Sequence, residues 1–384
     1  MRDHDTADLL LDRLRGLTPI VEQHREAIDA ERRLPAPLFG ALAEAGLFRL
    51  WLPRALGGPE LSPLEFMEVV EAATALDASV GWIVGNGGGA SRVAGYLPET
   101  AAKRVFADPR AFLVLATGAV GRAVPTEGGY RVTGRWPYGS GIHGATGVAG
   151  LCAVAAAGQE GPAPTLMALA PIDAVAVIDT WQVSGLKGTG SCDFTLDDVF
   201  VPADHVFGYP DQHAVMPGLV YRLPVVSTFS WSVSVVPLAI TRAISADVAG
   251  LMVDRMRVGT SVALRERESI QSEVGRAEAI LRAARALMVE AMSALMAAVE
   301  RGETALIPRR ADLRLATAHA ADSALRAAAM LEAAVGAVAI QEGGPLARRL
   351  RDLRAAVQHV AMSPNSFIVA GRLRLGLDAG TMRI

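Results

Sequence analysis

The sequence GGYRVTGRWPYGSG, residues 128–141, decides how the middle of this chain folds. Residues of equal parity within it are Tyr130, Val132, Trp136, Tyr138 and Ser140. Because side chains alternate between the two faces of a strand, an uninterrupted strand puts all five on one face. Such an aromatic face, ending in a hydroxyl between two glycines, suits a flat ring that needs one hydrogen bond. The alternative is a hairpin strand that packs in a core, and a bulge at Pro137 would turn Ser140 away from the aromatic face.

Short apolar or alternating segments surround this stretch. They are residues 112–116, 130–136, 148–156, 165–170, 175–178 and 192–201. Glycine and proline clusters separate them, which is typical of a small antiparallel barrel or sandwich. The sequences before and after have helical periodicity, and residues 272–299 and 312–340 carry apolar residues at the spacing of bundle helices. We therefore predict a helical domain at 1–112, a β domain at 113–215 and a helical bundle at 216–384.

Two further segments carry candidate functional residues. A last helix is predicted from residue 345 to about residue 362, with His359 opposite its leucine stripe. The glycine cluster at residues 85–89 has the spacing of a nucleotide-phosphate loop, but a helical pattern precedes it where that loop requires a strand. We interpret the glycines as a place where the backbone packs tightly against a neighbour or a ligand. Asn86, among these glycines, is a candidate for the substrate pocket.

The composition excludes several classes of protein. The chain has 384 residues, 51% of them hydrophobic and 20% charged, so we expect an ordered protein with a large core. A net charge of -3 without a long basic run argues against nucleic-acid binding. Two cysteines form no disulfide framework, and no metal-ligand spacing is visible. No signal peptide and no apolar run of about 18 residues is evident, so we expect a soluble, cytoplasmic protein outside membranes.

Residues 179–191, DTWQVSGLKGTGS, are rich in glycine and hydroxyl side chains. Small residues that expose backbone N–H groups suit a polar ring edge or a phosphate. A flexible loop between strands is the alternative interpretation.

Three motifs resemble one known family when they are taken in chain order. They are AEAGLF at 43–48, followed by LP at 52–53 and LGG at 56–58; GLKGTGS at 185–191, followed by DDVFVP at 197–202; and RDLR at 351–354. Together they resemble the acyl-CoA dehydrogenase fold. The resemblance implies a mainly α protein with an N-terminal helical domain, a small antiparallel β-barrel and a C-terminal four-helix bundle.

The residues depart from the dehydrogenase branch of this family. A dehydrogenase needs a carboxylate to remove a proton next to the thioester carbonyl. Counting from the RDLR segment puts Val360 where one branch has its glutamate, and an ungapped match puts Phe229 at about the position used by another. No glutamate occurs between Glu160 and Glu266. These departures argue against acyl-CoA oxidation.

The sequences GRW at 134–136, SG at 140–141 and DASVGW at 77–82 instead resemble the two-component flavin-dependent (group D) monooxygenases of the same fold. That resemblance implies reduced FAD or FMN, supplied by a separate NAD(P)H-flavin reductase, and oxygen that reacts through a C4a-hydroperoxide. It further implies a homotetramer that hydroxylates or oxidises an aromatic or polycyclic small molecule. No charged cluster lies in the proposed pocket segments, which favours an apolar substrate. An acyl-CoA dehydrogenase or oxidase with a displaced base, and a non-catalytic flavin- or acyl-binding homologue, are the alternatives.

The resemblance assigns roles to particular residues. His359 and Ser140 are the expected catalytic residues, through a hydrogen bond to the oxygenated flavin or, for His359, proton removal near neutral pH. The expected flavin contacts are Trp136, Tyr138, Ser140, Trp181, Thr189, Gly190 and Ser191. Trp82 and Asn86 are expected to contact the substrate, and His143 is a further pocket candidate. No residue is assigned to a metal.

Overall fold

The computed structural model describes residues 6–155, 163–253, 255–256 and 262–381. The described residues form two compact units. The first comprises those within Met1–Val69, Trp82–Gln182 and Lys187–Ser232, and the second those within Val70–Gly81, Val183–Leu186 and Val233–Ile384.

Helices come before and after a group of strands, in the predicted order. Before the strands lie α1 (Ala7–Gly16), α2 (Thr18–Gln23), α3 (Arg25–Glu31), α4 (Ala36–Glu44), α5 (Pro63–Leu76), α6 (Ala78–Ala90) and α7 (Glu99–Val105). After them lie α8 (Leu219–Arg222), α9 (Val225–Ser234), α10 (Val236–Met252), α11 (Glu268–Glu300), α12 (Ile307–Val335), α13 (Pro345–Ala356) and α14 (Asn365–Arg374). Local signals set some of the ends: the Thr6 hydroxyl accepts the N–H of Leu9 at 3.3 Å and caps α1.

The glycine cluster lies inside α6 and lets this helix pack closely. A Cβ at Gly87 would lie 2.4 Å from Cε2 of Phe112, and one at Gly88 would lie 2.7 Å from Cδ1 of Leu50. Neither separation leaves room for a methyl group. The interpretation of tight backbone packing is therefore confirmed, and the formal resemblance to a phosphate loop has no structural counterpart.

We expect Gly87→Ala to lower the free energy of unfolding by about 1–3 kcal/mol, although alanine is the better helix former. The clash with Phe112 outweighs the gain in helix propensity. Gly275→Ala in α11 is the matched control, because in the described part of the chain no atom beyond its neighbours and its own helix backbone lies within 4 Å of the added Cβ. The control should be stabilised by up to about 1 kcal/mol in urea denaturation. Equal effects of the two substitutions would show that the packing at Gly87 is loose.

The strands form one seven-stranded sheet in the first unit. They are β1 (Leu113–Thr126), β2 (Gly129–Gly139), β3 (Gly147–Val154), β4 (Thr165–Pro171), β5 (Ala176–Ile178), β6 (Cys192–Pro202) and β7 (Val206–Gly208). Their hydrogen-bonded order is β5-β6-β2-β1-β3-β4-β7. All six predicted strand segments lie within or overlap these strands.

One detail of the predicted barrel is corrected, because the sheet is mixed. β1 and β3 pair in parallel, from Leu113 opposite Gly147 to Ala123 opposite Val154, with a shift in register after Ala116. The sequence predicted antiparallel strands throughout. β6 already occupies the other edge of β2, so β3 pairs with the free edge of β1 and runs in the same direction as β1. In the described part of the chain, the ladder has β5 and β7 at its two edges.

The second unit contains the helical bundle. Helices α11 and α12 pack along each other, and α10, α13 and α14 also pack on α12. The predicted last helix is shorter than expected, because α13 ends at Ala356. His359 has extended backbone, and its Nδ1 accepts the N–H of Ala361 at 3.3 Å. Pro364 further disfavours helical backbone in the preceding residue, which explains the break before α14.

Two helical stretches, Val225–Met252 and Ile307–Ile340, are long and apolar enough to cross a membrane by length and composition alone. The expectation that no apolar run reaches this length was therefore wrong. In their most apolar windows, 56% and 39% of the residues are buried inside the protein. Core helices of bundles meet the same criterion, so these two stretches are weak evidence for a span.

Candidate functional site

A cavity of about 640 Å³, part of it open to solvent, lies within the first unit. Its wall is built from α6 and the turn that follows, from β1, and from α9. Apolar side chains predominate, among them Leu113, Leu115, Val225 and Phe229. A concave wall that is mostly apolar and carries a few polar groups is typical of sites that take up a small organic molecule.

Ser140 lies on the wall of this cavity, directly after β2. The indole Nε1–H of Trp82 donates to its Oγ at 3.2 Å. The Ser140 Oγ also lies 2.8 Å from the Oγ of Ser191, which in turn lies 2.7 Å from Oγ1 of Thr189. Thr189 and Ser191 are buried. A chain of hydroxyl groups therefore leads from the cavity wall into the protein and holds the Ser140 hydroxyl in place.

The predicted common face of β2 is wrong. The register with β6 shifts between Val132 and Gly134 and again between Trp136 and Gly139, and Tyr138 has a φ of 62°. Trp136 is consequently 0% exposed, whereas Tyr138 is 69% exposed. The Trp136 Nε1–H donates to the carbonyl of Leu151 at 2.9 Å. Trp136 is thus a core residue of the sheet, and its burial contradicts the predicted flavin contact.

Trp181 and Gly190 lie in the glycine- and hydroxyl-rich segment before β6. The indole N–H of Trp181 donates to the carbonyl of Lys187 at 3.1 Å, and its ring lies edge-on to Tyr138 with a centroid distance of 6.5 Å. Gly190 has a φ of 52°, which favours glycine. The Gly141 N–H donates to the carbonyl of Thr189 at 2.8 Å, so the end of β2 and this segment are joined.

The two substrate candidates on α6 have different positions. Asn86 lies on the cavity wall, and its side-chain amide donates to the carbonyl of Trp82 at 2.8 Å. Trp82 is buried and contacts Ser140, so it orients this hydroxyl. Sequence reasoning missed Arg92, which also lies on the cavity wall. The available signal was that Arg92 is the lone charged residue between Asp77 and Glu99.

His143 lies in a separate polar cluster near the start of β6. Its Nε2 is 3.6 Å from the sulfur of Cys192. Burial lowers the pKa of His143 from its ordinary value, and the nearby Arg33 cation lowers it further. Burial also raises the pKa of the Cys192 thiol. Among the described residues, no group of three or more His, Cys, Asp or Glu side chains forms a metal site.

His359 belongs to the second unit. Burial lowers the pKa of its imidazole from 6.5 to about 4. The ring is therefore neutral at neutral pH and is a poor base there. The lowered pKa argues against the expected removal of a substrate proton by His359 near neutral pH. The other expected role of His359, a hydrogen bond to the flavin, stays a prediction.

The lowered pKa of His359 predicts a specific dependence of stability on pH. The unfolded chain binds this proton more tightly than the folded protein does. The stability contributed by His359 is therefore complete above about pH 6.5 and is lost as the pH falls to about 4, about 3 kcal/mol in all. Urea denaturation at pH 7.5 and pH 4 should show a smaller fall for His359→Gln than for the wild type. The exposed His213, changed to Gln, is the control, and equal falls in all three proteins would contradict the shift.

Two of the family-like motifs meet in the second unit around Asp352. The carboxylate of Asp352 accepts the backbone N–H of Leu186 at 2.6 Å. A Cβ at Gly185 would lie 2.1 Å from the carbonyl oxygen of Arg351, so only glycine fits there. The motifs at 185–191 and 351–354 thus contain residues that hold one loop against one helix.

Comparison with known proteins agrees with this architecture. The model of the acyl-CoA dehydrogenase N-terminal domain matches residues 15–104, and that of the C-terminal domain matches residues 232–364. The chain is 30% identical to an indole-3-acetate monooxygenase of Pseudomonas putida, over 91% of this chain and 89% of the relative. It is 29% identical to the oxygenase component of an FADH2-dependent resorcinol hydroxylase of Rhizobium sp., over 96% and 94% of the two chains.

A solved structure is also similar over nearly the whole chain. XiaF from Streptomyces sp., in complex with FADH2 and glycerol, superposes with a TM-score of 0.90 at 27% identity and covers 98% of this chain and 97% of its own. The fold, the motifs around Asp352 and these relatives lead to one conclusion. The chain belongs to the acyl-CoA dehydrogenase family, within its branch of two-component flavin-dependent monooxygenases.

Proposed function

We propose that this protein is the oxygenase component of a two-component system that inserts one atom of O2 into an aromatic small molecule. A separate NAD(P)H-flavin reductase supplies reduced FAD or FMN. Reduced flavin provides the electrons that activate oxygen, and the protein provides position, proton control and exclusion of water. The named reactions of the relatives, on indole-3-acetate and resorcinol, support an aromatic substrate for this chain.

The observation that carries the proposal is the fixed hydroxyl of Ser140 on the wall of a mostly apolar cavity. Ser140, Thr189 and Ser191 offer hydroxyl groups that fit the polar edge of a flavin ring. The exposed ring of Tyr138, edge-on to Trp181, offers aromatic surface to a flat cofactor. Trp136 is not among the proposed flavin contacts, because it is fully buried.

The chemistry of the cavity favours oxygen transfer over dehydrogenation. None of the described residues that line the cavity is an aspartate, a glutamate or a histidine. Phe229, at the position where one dehydrogenase branch was expected to have its glutamate, is part of the lining. A C–H bond next to a thioester carbonyl thus meets no carboxylate base at this wall. An apolar wall does suit a reaction in which water must be kept away from oxygenated flavin.

The remaining expectations are also part of the proposal. His359 is proposed as a second contact to the flavin, through its neutral imidazole. The protein is proposed to be a cytoplasmic homotetramer without nucleic-acid or membrane partners, and light scattering after size-exclusion chromatography measures its subunit number. The domain boundaries at about residues 112 and 215 are supported by the strands, which lie between Leu113 and Gly208.

Stopped-flow mixing of the protein and reduced FAD or FMN with oxygenated buffer tests the function. We expect flavin oxidation that is slower than that of free flavin, with a transient absorbance, and oxygenated product when indole-3-acetate or resorcinol is present. Flavin that binds but oxidises as fast as free flavin, without product, would instead support a non-catalytic flavin-binding protein. Purification with bound oxidised FAD and reduction of that FAD by an acyl-CoA would support a dehydrogenase.

A further inference from the structure

Arg92 is a buried cation on the cavity wall that forms no salt bridge with any of the described residues. Arg92, in the turn after α6, is 4% exposed and lies on the cavity wall. Its Nη2 donates to the hydroxyl of Tyr96, and its guanidinium lies 5.2 Å from the centre of that ring. Its Nε and Nη1 are buried and have no hydrogen-bond partner among the described residues. At least three of the five guanidinium N–H groups are therefore unused, since Nε carries one and Nη1 carries two.

The surrounding residues explain the position of Arg92 but do not neutralise its charge. The Tyr96 hydroxyl donates to the carbonyl of Tyr221 at 3.1 Å, so Tyr96 is held in place. Burial raises the pKa of the Tyr221 phenol, and the nearby Glu60 carboxylate raises it further. In the described part of the chain, the Arg92 guanidinium forms its one hydrogen bond with the neutral Tyr96 hydroxyl and no salt bridge with a carboxylate. A buried charge without a partner is costly, and a bound anion would offset that cost.

A second polar group in the same cavity also lacks a partner. The side-chain oxygen of Gln212 is buried without a hydrogen bond, and Gln212 lies on the cavity wall. A guanidinium is the donor that proteins commonly use for a carboxylate, whereas the amide oxygen of Gln212 accepts and would suit an O–H or N–H group of the same ligand. Two unsatisfied polar groups therefore lie in the same otherwise apolar cavity as Ser140.

We propose that Arg92 binds a carboxylate group of the substrate, so that this enzyme acts on an aromatic acid rather than on a neutral aromatic compound. The inference rests on the proposed function and names its substrate class. The apolar wall holds the aromatic ring, Arg92 binds the carboxylate, and Ser140 lies on the same wall. The single uncompensated cation matches one negative charge. Sequence reasoning had favoured an apolar aromatic substrate because no charged cluster lies in the proposed pocket segments.

Binding of matched acids and amides tests this inference without any turnover. The probes are indole-3-acetate with indole-3-acetamide, phenylacetate with phenylacetamide, and benzoate with benzamide, titrated calorimetrically into the whole protein with and without anaerobic FADH2. We expect at least one acid to bind about 10- to 100-fold more tightly than its amide. Arg92→Gln should abolish that preference by weakening the acid alone, and Arg92→Lys should retain part of it. Arg122→Gln, at an exposed arginine of β1, should change neither affinity.

Two results would overturn the inference. One is equal binding of acid and amide, or no acid binding at millimolar concentration, in the wild type. The other is an equal loss of acid and amide binding in Arg92→Gln, which would indicate a structural role for Arg92. A melting curve of each variant shows whether it is folded. Because these titrations need no oxygen, their failure is distinct from failure of the proposed oxygenation, which stopped-flow measures.

Discussion

Ser140→Ala is expected to lower the fraction of consumed oxygen that appears in product by about 10- to 100-fold. The Ser140 Oγ is held by Trp82 and Ser191 at the cavity wall, so, with Ser191 as the donor of their shared hydrogen bond, the Ser140 hydroxyl would be in place to donate to a bound flavin. Alanine removes that donor and leaves the Trp82 N–H without its acceptor at Ser140. More hydrogen peroxide should be released, while reduced flavin should bind with nearly unchanged affinity.

The measurement is product and hydrogen peroxide formed per reduced flavin in single-turnover reactions. Ser140→Thr keeps a hydroxyl and should recover part of the product yield. Thr126→Ala, at an exposed residue near the end of β1, is the control for a change remote from the cavity. A product yield within twofold of the wild type in Ser140→Ala would remove this hydroxyl from the mechanism.

Arg348→Met is expected to lower the free energy of unfolding by about 3–5 kcal/mol. The Arg348 guanidinium lies 2.8 Å from the carboxylate of Asp77, and both side chains are largely buried. Asp77 also accepts the backbone N–H groups of Ser79 and Val80 at the start of α6. Asp352 lies 4.0 Å from the same arginine. Removing the cation leaves two buried carboxylates without it, which is costly in a desolvated site.

Urea denaturation at neutral pH measures this effect. Arg326→Met is the matched control, because its ion pair with Asp322 is more than half exposed on both sides and should contribute less than about 1 kcal/mol. A loss of under about 1 kcal/mol in Arg348→Met would show that water reaches the Asp77 carboxylate. In that case the position of the motif at 351–354 would not depend on the ion pairs of Arg348 with Asp77 and Asp352.

Much of the fold was predictable because it depends on local patterns. Apolar and polar side chains alternate around residues 130–136, and turn residues lie on either side. This local pattern predicts a strand whatever the rest of the chain contains. The motifs at 185–191 and 351–354 were recognisable because backbone contacts restrict them, as at Gly185 against the Arg351 carbonyl. The absence of both glutamates expected of a dehydrogenase was also visible in the sequence. A carboxylate base requires an aspartate or a glutamate at the right position, and the residue type is read directly from the sequence.

The site was predictable only in part. Ser140, Thr189 and Ser191 were predicted from motifs, and the structure brings their hydroxyls together. Trp136 was misassigned because its burial depends on other strands: a Cβ at Gly121 would lie 2.4 Å from its ring and one at Gly150 would lie 2.5 Å away. The parallel pairing of β1 with β3 likewise depends on which strand edge is already occupied.

The sequence by itself determined the order of helices and strands, the family, and the absence of the expected carboxylate bases. Tertiary structure alone decided that burial lowers the pKa of His359 and that Arg92 lies on the wall of the cavity with N–H groups that no described residue accepts. The physical reason is that desolvation and hydrogen-bond satisfaction are set by groups from distant segments. A residue's type states which charge it can carry, and its surroundings determine whether that charge is balanced within the protein or available to a ligand.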